Sequence, residues 1–405
     1  MSRKRALMWF GMTFLLAAIC LAPFGGAQAA EKTEILVGAI NSLTGTNAMS
    51  AAECKWAYEQ AINDVNAKGG VFVKEINKKL PVKLIFSDDK SSSDGASAAM
   101  ERLIKVNKID LALSSNITPY NLAAATVCEK YRMFYSIATS WIDEIEKRHF
   151  KYVSDVFSSA SEAARTPFLV WESWPKEKRP QRPVLMMLDT PDGQAFGAGF
   201  RRFAKEYGYT FVVDEPYQTG SKDFSALVLK WQAANADALL TVGGPVDAIT
   251  VLRQMKDQNF RIPYVHGWGG FWPREFERGM GKDANYTIHD GFWSAKNGAP
   301  MSEELEKRFK KDHNGLDSVS VGLSYANAEI LCMAIEKAGS FKADKVRDAI
   351  FGGQFQSGTM GDVKFNEKGL AFKPLIAMQW WNGERMPLYP PNTKIWTYKA
   401  APSTW

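Results

Sequence analysis

Histidine and cysteine are both scarce, with four of each in 405 residues. The histidines, His149, His266, His289 and His313, are scattered, and no HExxH, GxSxG, Walker A or GxGxxG string occurs. The motif-borne routes to metal-assisted hydrolysis, serine acylation and nucleotide binding therefore have no starting point. Acidic pairs such as Asp88-Asp89 exist, but acids at strand ends commonly cap helices or sit on the surface. With no catalytic constellation, the chain is expected not to be an enzyme and to need no cofactor. Among the cysteines, Cys54, Cys128 and Cys332 lie far apart with no CxxC, which argues against a zinc ribbon and a disulfide-rich scaffold. An oxidising compartment would permit one bridge among these three, and spacing selects no pair; the alternative is three buried thiols on helix faces. Charge of one sign does not dominate either. The balance is 50 basic to 44 acidic residues, a net +6, and nothing in it demands nucleic acid. Low-complexity tracts and short-period repeats are absent.

What is present begins at the N-terminus. Ser2-Arg3-Lys4-Arg5 supplies a positive segment and Ala6 to Leu21 an uncharged, mostly apolar run ending in Pro23 and Gly25-Gly26. That is the pattern of a signal peptide, and Ala27-Gln28-Ala29 places small residues where a peptidase reads, so cleavage is expected after Ala29. A membrane anchor is the competing reading, but the run is short for a bilayer span. Cys20 is preceded by Ile19, where a lipoprotein signal needs a small residue, and is expected to leave with residues 1–29. Cleavage removes three basic side chains. The remaining chain exceeds one comfortable core, and the full sequence, 46% hydrophobic, is apolar enough to bury two.

From Glu34 onward, short β-branched or apolar runs alternate with amphipathic stretches, the mark of βα units and parallel sheets. Strands are expected at Ile35–Ile40, Val82–Phe86, Asp110–Leu113 and Phe134–Ile137. Between the first two, Cys54, Ala57, Tyr58, Ala61, Ile62 and Val65 share a helical face, and between the next two Ala96, Ala99, Met100 and Leu103 do so. The pattern restarts with Val184–Leu188, Tyr209–Val213, Ala238–Val242 and Ile262–His266. A long helical region follows, including Ser324–Ala338, and then strands within Asp362–Gln379 around a turn at Glu367-Lys368-Gly369. The expected fold is α/β, two doubly wound parallel-sheet lobes.

Several segments, in order and spacing, resemble the leucine/isoleucine/valine-type solute-binding proteins of ABC transporters, which have the type I periplasmic binding fold. They are Val37-Gly38-Ala39 with Leu43-Thr44-Gly45, Ala61-Ile62-Asn63-Asp64-Val65-Asn66-Ala67-Lys68-Gly69-Gly70, Phe86-Ser87-Asp88-Asp89, Lys222-Asp223-Phe224-Ser225, Leu252-Arg253-Gln254 and Phe365-Asn366-Glu367-Lys368-Gly369. The resemblance spans about Ile35 to Trp380. It implies a periplasmic receptor, expected to be monomeric, that takes a small-molecule ligand to an inner-membrane ABC permease. A ligand sensor of the same fold, of the amide-responsive kind, is the alternative; a sensor would lack a cleavable signal or add a membrane segment and an output domain. The resemblance also implies a three-segment hinge, expected near Val153–Phe157, Phe292–Ala295 and Phe355–Gly361. Residues 30–154 and 296–355 would then form one lobe, and 155–295 with 356–405 the other.

In open α/β sheets, ligands settle beyond the carboxyl ends of the strands. There Ser114-Ser115-Asn116 resembles the family's serine-bearing loop for a ligand carboxylate, and Ala138-Thr139-Ser140 the loop that contacts both ends of an amino acid. Ser and Thr at such turns also cap helices, which is the purely structural alternative. On the second lobe, Phe196 resembles the family's aromatic contact, without the hydroxyl of the commoner Tyr, and Pro245 after Gly243-Gly244 matches another contact. Gly269 stands about where amino-acid-binding members place an acid for the α-ammonium. Its lack of a side chain points to an organic acid with an apolar or aromatic body, unless Asp192 or Asp247 replaces the acid. Trp268, Phe271 and Trp272 could stack on such a ligand or equally fill the core. His266 could reach a ligand too, although a satisfied strand-end histidine is commoner.

Overall fold

A computed structural model describes residues 32–390 and 396–405. The expected signal peptide, its cleavage point and Cys20 lie outside these residues, as does the side chain of Asp192. Glu34–Trp405 forms one compact unit, built around two sheets.

The chain opens with β1 (Ile35–Asn41) and α1 (Ala48–Ala67), then a small hairpin, β2 (Val71–Val73) and β3 (Lys78–Leu80). It continues through β4 (Val82–Asp88), α2 (Ser93–Lys105), β5 (Leu111–Leu113), α3 (Thr118–Tyr131), β6 (Tyr135–Ile137), α4 (Ile142–Glu146) and β7 (Val153–Asp155). The first sheet is all parallel, in the order β4-β1-β5-β6-β7. Its inner strands β1 and β5 are almost wholly apolar because helices cover both faces. The expected stripe Ala96, Ala99, Met100 and Leu103 is the buried face of α2, which starts where the Ser92 hydroxyl accepts from the Gly95 N–H.

The second half runs α5 (Ala160–Ala163), α6 (Thr166–Glu172), β8 (Pro183–Leu188), α7 (Pro191–Tyr207), β9 (Val213–Tyr217), α8 (Ser225–Ala233) and β10 (Ala238–Gly243). After it come α9 (Pro245–Asp257), β11 (Tyr264–Gly269), α10 (Arg274–Met280) and β12 (Ile288–Gly291). The chain then returns to the first sheet with α11 (Ser302–Asp312), α12 (Val321–Ala338), α13 (Ala343–Ile350) and the hairpin β13 (Gln354–Ser357) and β14 (Gly361–Lys364). Finally β15 (Ile376–Trp381) and β16 (Glu384–Tyr389) join the second sheet as antiparallel strands, giving β16-β15-β12-β11-β10-β8-β9.

Two expectations are corrected here. The strand expected at Tyr209–Val213 is β9, four residues further on. Tyr209 instead closes α7, its N–H donating to the Ala204 carbonyl at 2.7 Å. β9 is an edge strand, alternately half-buried and open until the buried Tyr217, and so it tolerates Asp214, Glu215 and Pro216 and escapes a search for apolar runs. The third crossing lies after Ala371, not at Phe355–Gly361. Those residues form the β13–β14 hairpin, whose Phe355 and Val363 pack in the first core beside α12, as do Phe365 and Ala371 beyond it.

The crossings therefore follow β7, follow β12, and precede β15. The first and third run side by side: the Ala371 N–H donates to the Asp155 carbonyl at 2.8 Å and the Lys373 N–H to that of Phe157 at 3.1 Å. Beside them the Asp155 carboxyl is fully buried; Oδ1 accepts from the Phe157 N–H at 2.9 Å and Oδ2 has no partner. Burial raises its pKa well above the ordinary carboxylate value. A raised folded-state pKa means the native state holds the proton more tightly than the unfolded chain, so this group's contribution to stability falls as pH rises. Asp155→Asn, which keeps the acceptor, is expected to gain on the wild type in urea midpoint as pH climbs above about 4. Midpoints that stay parallel across that range would contradict it.

Candidate functional site

The loops after β5 and β6 meet at the carboxyl end of the first sheet, and hydrogen bonds decide which of their side chains remain available. Ser114 Oγ accepts from the Ala138 N–H at 3.0 Å and lies 3.1 Å from the Tyr58 hydroxyl. Ser115 Oγ donates to Asp89 Oδ2 at 2.9 Å, while Ser42 Oγ donates to the other oxygen at 2.6 Å. Asn121 ties the two loops together: its Nδ2 donates to the carbonyls of Ser115 and Thr139, each at 3.1 Å, and to Ser140 Oγ at 2.9 Å. The Tyr135 hydroxyl fixes the other end of that amide at 2.8 Å. Ser114, Ser115, Ala138 and Ser140 are thus fully buried parts of the loop framework. The three serine hydroxyls, expected to face a ligand, here bond within that framework.

Two polar atoms are left over. Thr139 Oγ1 and Asn116 Oδ1 are buried with no hydrogen-bond partner, although Asn116 Nδ2 donates to Ser50 Oγ at 3.1 Å. Leaving a buried polar atom unpaired costs about 1–3 kcal/mol, so native proteins rarely do it without a reason. Both atoms stand on loops at strand ends, where this architecture places ligands.

Across the seam, Phe196 near the start of α7 meets the first lobe: its ring lies edge-on to Trp141, 5.4 Å between centroids. Trp141 follows Ser140 directly and also contacts Phe157 on the first crossing, at 5.0 Å. The sequence reading passed over both Trp141 and Asn121; an aromatic immediately after a strand-end Ser/Thr loop is the available signal for the first. Trp272 is half-buried and packs edge-on to Phe292 on the second crossing, 5.4 Å away.

Trp268 requires a correction. Its indole is 1% exposed, stacked on His266 at 4.3 Å and edge-on to Phe200 at 4.9 Å, and it belongs to the second core. The period of two along β11 puts Tyr264, His266 and Trp268 on one face, and that face is covered by α6 and α7. Phe271 is equally buried, against Phe276. His266 is satisfied within the same core, its Nε2 2.9 Å from Asp290 Oδ1 and its Nδ1 2.7 Å from the Tyr264 hydroxyl. Burial holds the Asp290 carboxyl above its ordinary value, opposed by the neighbouring His266.

Gly269 leaves no room for the missing acid. Its φ is +64°, and a Cβ there would stand 2.6 Å from the Gly243 carbonyl oxygen. Gly270 is equally constrained by Gly244. The loops after β10 and β11 therefore touch backbone to backbone, with Pro245 half-buried at the start of α9. Asp247 does not stand in, because its Oδ2 accepts from the Gly244 N–H at 2.9 Å and from the Tyr217 hydroxyl at 3.0 Å. Gly269→Asp is expected to cost about 1–3 kcal/mol of stability through left-handed backbone strain, with the carbonyl clash added. An unchanged urea midpoint would show that the loops can separate.

The remaining chemistry is sparse. Cys54, Cys128 and Cys332 are unbridged and buried, and burial pushes the first thiol up to about 11 and the last to about 12. Among the described residues there is no cluster of His, Cys, Asp and Glu able to hold a metal, and no helix long and apolar enough to cross a membrane. An open concavity of about 360 Å³ does exist, lined by residues including Ile145, Phe150, Val153 and Phe351, but none of the loop residues above lines it.

Two parallel-sheet lobes, their strand-end loops opposed across a seam and their chains joined by three crossings, define the type I periplasmic binding fold. The chain belongs to the periplasmic binding protein family, whose model matches residues 34–384. It is 24% identical over 395 residues to Leu/Ile/Val-binding protein homolog 7 of Brucella abortus (strain 2308), covering 94% of this chain and 97% of the relative. Its fold is shared with the branched-chain amino acid transporter substrate-binding protein LivJ from Streptococcus pneumoniae, solved with isoleucine (TM-score 0.72, 18% identity, 87% and 98% covered). It is shared also with an ABC transporter solute-binding protein from Rhodopseudomonas palustris BisB5, solved with 3,4-dihydroxy benzoic acid (TM-score 0.69, 18% identity, 87% and 95% covered).

Proposed function

We propose that this protein is a periplasmic receptor that closes its two lobes on a small organic acid and delivers it to an inner-membrane ABC importer, without chemical turnover. The observation that carries this reading is the pair of unpartnered atoms, Thr139 Oγ1 and Asn116 Oδ1, on neighbouring strand-end loops. The Thr139 hydroxyl can donate to a carboxylate. The Asn116 amide, turned over, can present its N–H groups instead, with the Ser50 hydroxyl turning from the Asn47 carbonyl to donate to Asn116. Trp141 and Trp272, both half-buried, offer apolar surface to the ligand body, and Phe196, 3% exposed, backs Trp141 from the second core. Backbone contact at Gly269 leaves no acid there for an α-ammonium, which favours a carboxylate with an apolar or aromatic body over a free amino acid. The benzoic acid derivative held by the Rhodopseudomonas protein supports that class, and the isoleucine held by LivJ supports the amino acid alternative.

Only a closed form lets both lobes touch one ligand, so binding shifts the population toward closure in proportion to that differential contact. A thermal-shift screen against aromatic acids, oxo acids, amino acids, amides and polyamines tests the reading. A ligand at a hundred times its Kd adds about 2.7 kcal/mol of stability. Stabilisation by acids lacking an α-amine is expected. A response confined to branched-chain amino acids would overturn the ligand class, and consumption of a bound compound would overturn the receptor reading.

A further inference from the structure

Away from the orphan pair, the seam is crossed by a buried charge cluster. Arg274 opens α10 and Arg385 lies on β16, both in the second lobe; their guanidinium groups sit over the Trp380 ring at 5.1 and 4.6 Å. Both converge on one carboxylate from the first lobe, Asp317, in the loop between α11 and α12. Its Oδ1 accepts from Arg274 Nε at 3.1 Å, and Arg274 Nη2 and Arg385 Nη1 close on the same oxygen. Arg385 Nη2 also donates to the Trp272 carbonyl at 2.7 Å, next to the aromatic proposed to face the ligand. Only 6% of the Arg385 side chain and 13% of the Asp317 side chain reach solvent. Burial would raise the Asp317 carboxyl, and the two arginines more than offset it, so it lies below the ordinary carboxylate range. On the first-lobe side the same loop is anchored to α1, where Glu53 accepts from the hydroxyls of Ser318 and Ser320. One turn earlier on that helix is Ser50, the partner of Asn116.

We propose that Asp317, gripped by Arg274 and Arg385, is an ion-pair latch across the seam that holds the lobes closed. This rests on the reading that the lobes open and close. The argument is one of exposure: separating the lobes parts one acid from two bases, Arg385 almost dry and Arg274 22% exposed, and screening by salt is weak at such a site. The arginines keep Trp380 as a shared platform when the lobes part, so the carboxylate is the element that changes partner. Asp317 is a positioning residue here. It raises the fraction of protein already in the binding-competent form, and apparent affinity scales with that fraction.

Spin labels at Met49→Cys on α1 and Val246→Cys on α9 report the lobe separation, both sites being largely exposed (80% and 74%) while the native thiols are buried. Double electron–electron resonance on the unliganded full chain is the readout. Asp317→Asn is expected to lower the closed-to-open ratio at least about tenfold, the worth of one charge-assisted hydrogen bond. A folded Asp317→Asn protein with the wild-type distance distribution would overturn the latch. If that variant does not fold, Arg274→Gln, which leaves Arg385 on Asp317, must give a smaller shift in the same direction, and no shift overturns the proposal. The thermal-shift screen reads ligand capture without reference to the seam, so the latch can fail while the receptor reading stands.

Discussion

Trp268→Ala is expected to lower the unfolding free energy by about 3–5 kcal/mol, the usual cost of emptying a large aromatic site in a packed core. The indole fills the space between His266, Phe196 and Phe200 beneath α7, and its N–H lies beside the buried Asp290 carboxyl. Urea unfolding measures the loss. A variant with the wild-type midpoint and impaired ligand binding would return Trp268 to the cleft and undo its assignment to the core.

Thr139→Val carries the opposite signature. It keeps the shape of the side chain and removes a buried hydroxyl that has no partner in the protein. Stability is therefore expected to hold or rise slightly, because nothing internal is broken and one desolvated polar group is gone. Affinity for an acid identified by thermal shift is expected to weaken about tenfold to a hundredfold, since a hydrogen bond to a charged group contributes about 1.5–3 kcal/mol. A drop in the urea midpoint with unchanged affinity would make Thr139 a framework residue like Ser140. The two variants together separate a residue that builds the lobe from one that waits for a ligand.

The parallel strands of both lobes were legible in the sequence because a strand covered on both faces must be a continuous apolar run, as in Ile35–Ile40 and Ala238–Val242. β9 was misplaced because it lies at a sheet edge, where half its residues face water and the apolar signal disappears. The third crossing was misplaced because hairpin residues and linker residues look alike until Phe355 and Val363 are seen packed against α12. At the candidate site, the position of the two loops after strands was legible, but which of their side chains find partners inside the protein was not. Ser114, Ser115 and Ser140 differ from Thr139 only in having partners, Ala138, Asp89 and Asn121, brought near by the fold. Trp268 and Trp272 differ because β11 ends at Gly269, which keeps one ring on the strand face in the core and leaves the other by the crossing. The charge latch joins Arg274, Asp317 and Arg385 from three distant stretches, and no spacing in the chain announces it.

The central claim is that Thr139 and Asn116 are unpaired because a ligand pairs them. A crystal structure of the complex with the best thermal-shift compound tests it most directly. The expected result is a ligand oxygen within hydrogen-bonding distance of Thr139 Oγ1 and of the Asn116 amide, with the ligand body against Trp141 or Trp272. A compound seated in the concavity between Ile145, Phe150 and Phe351, with the seam empty, would contradict it.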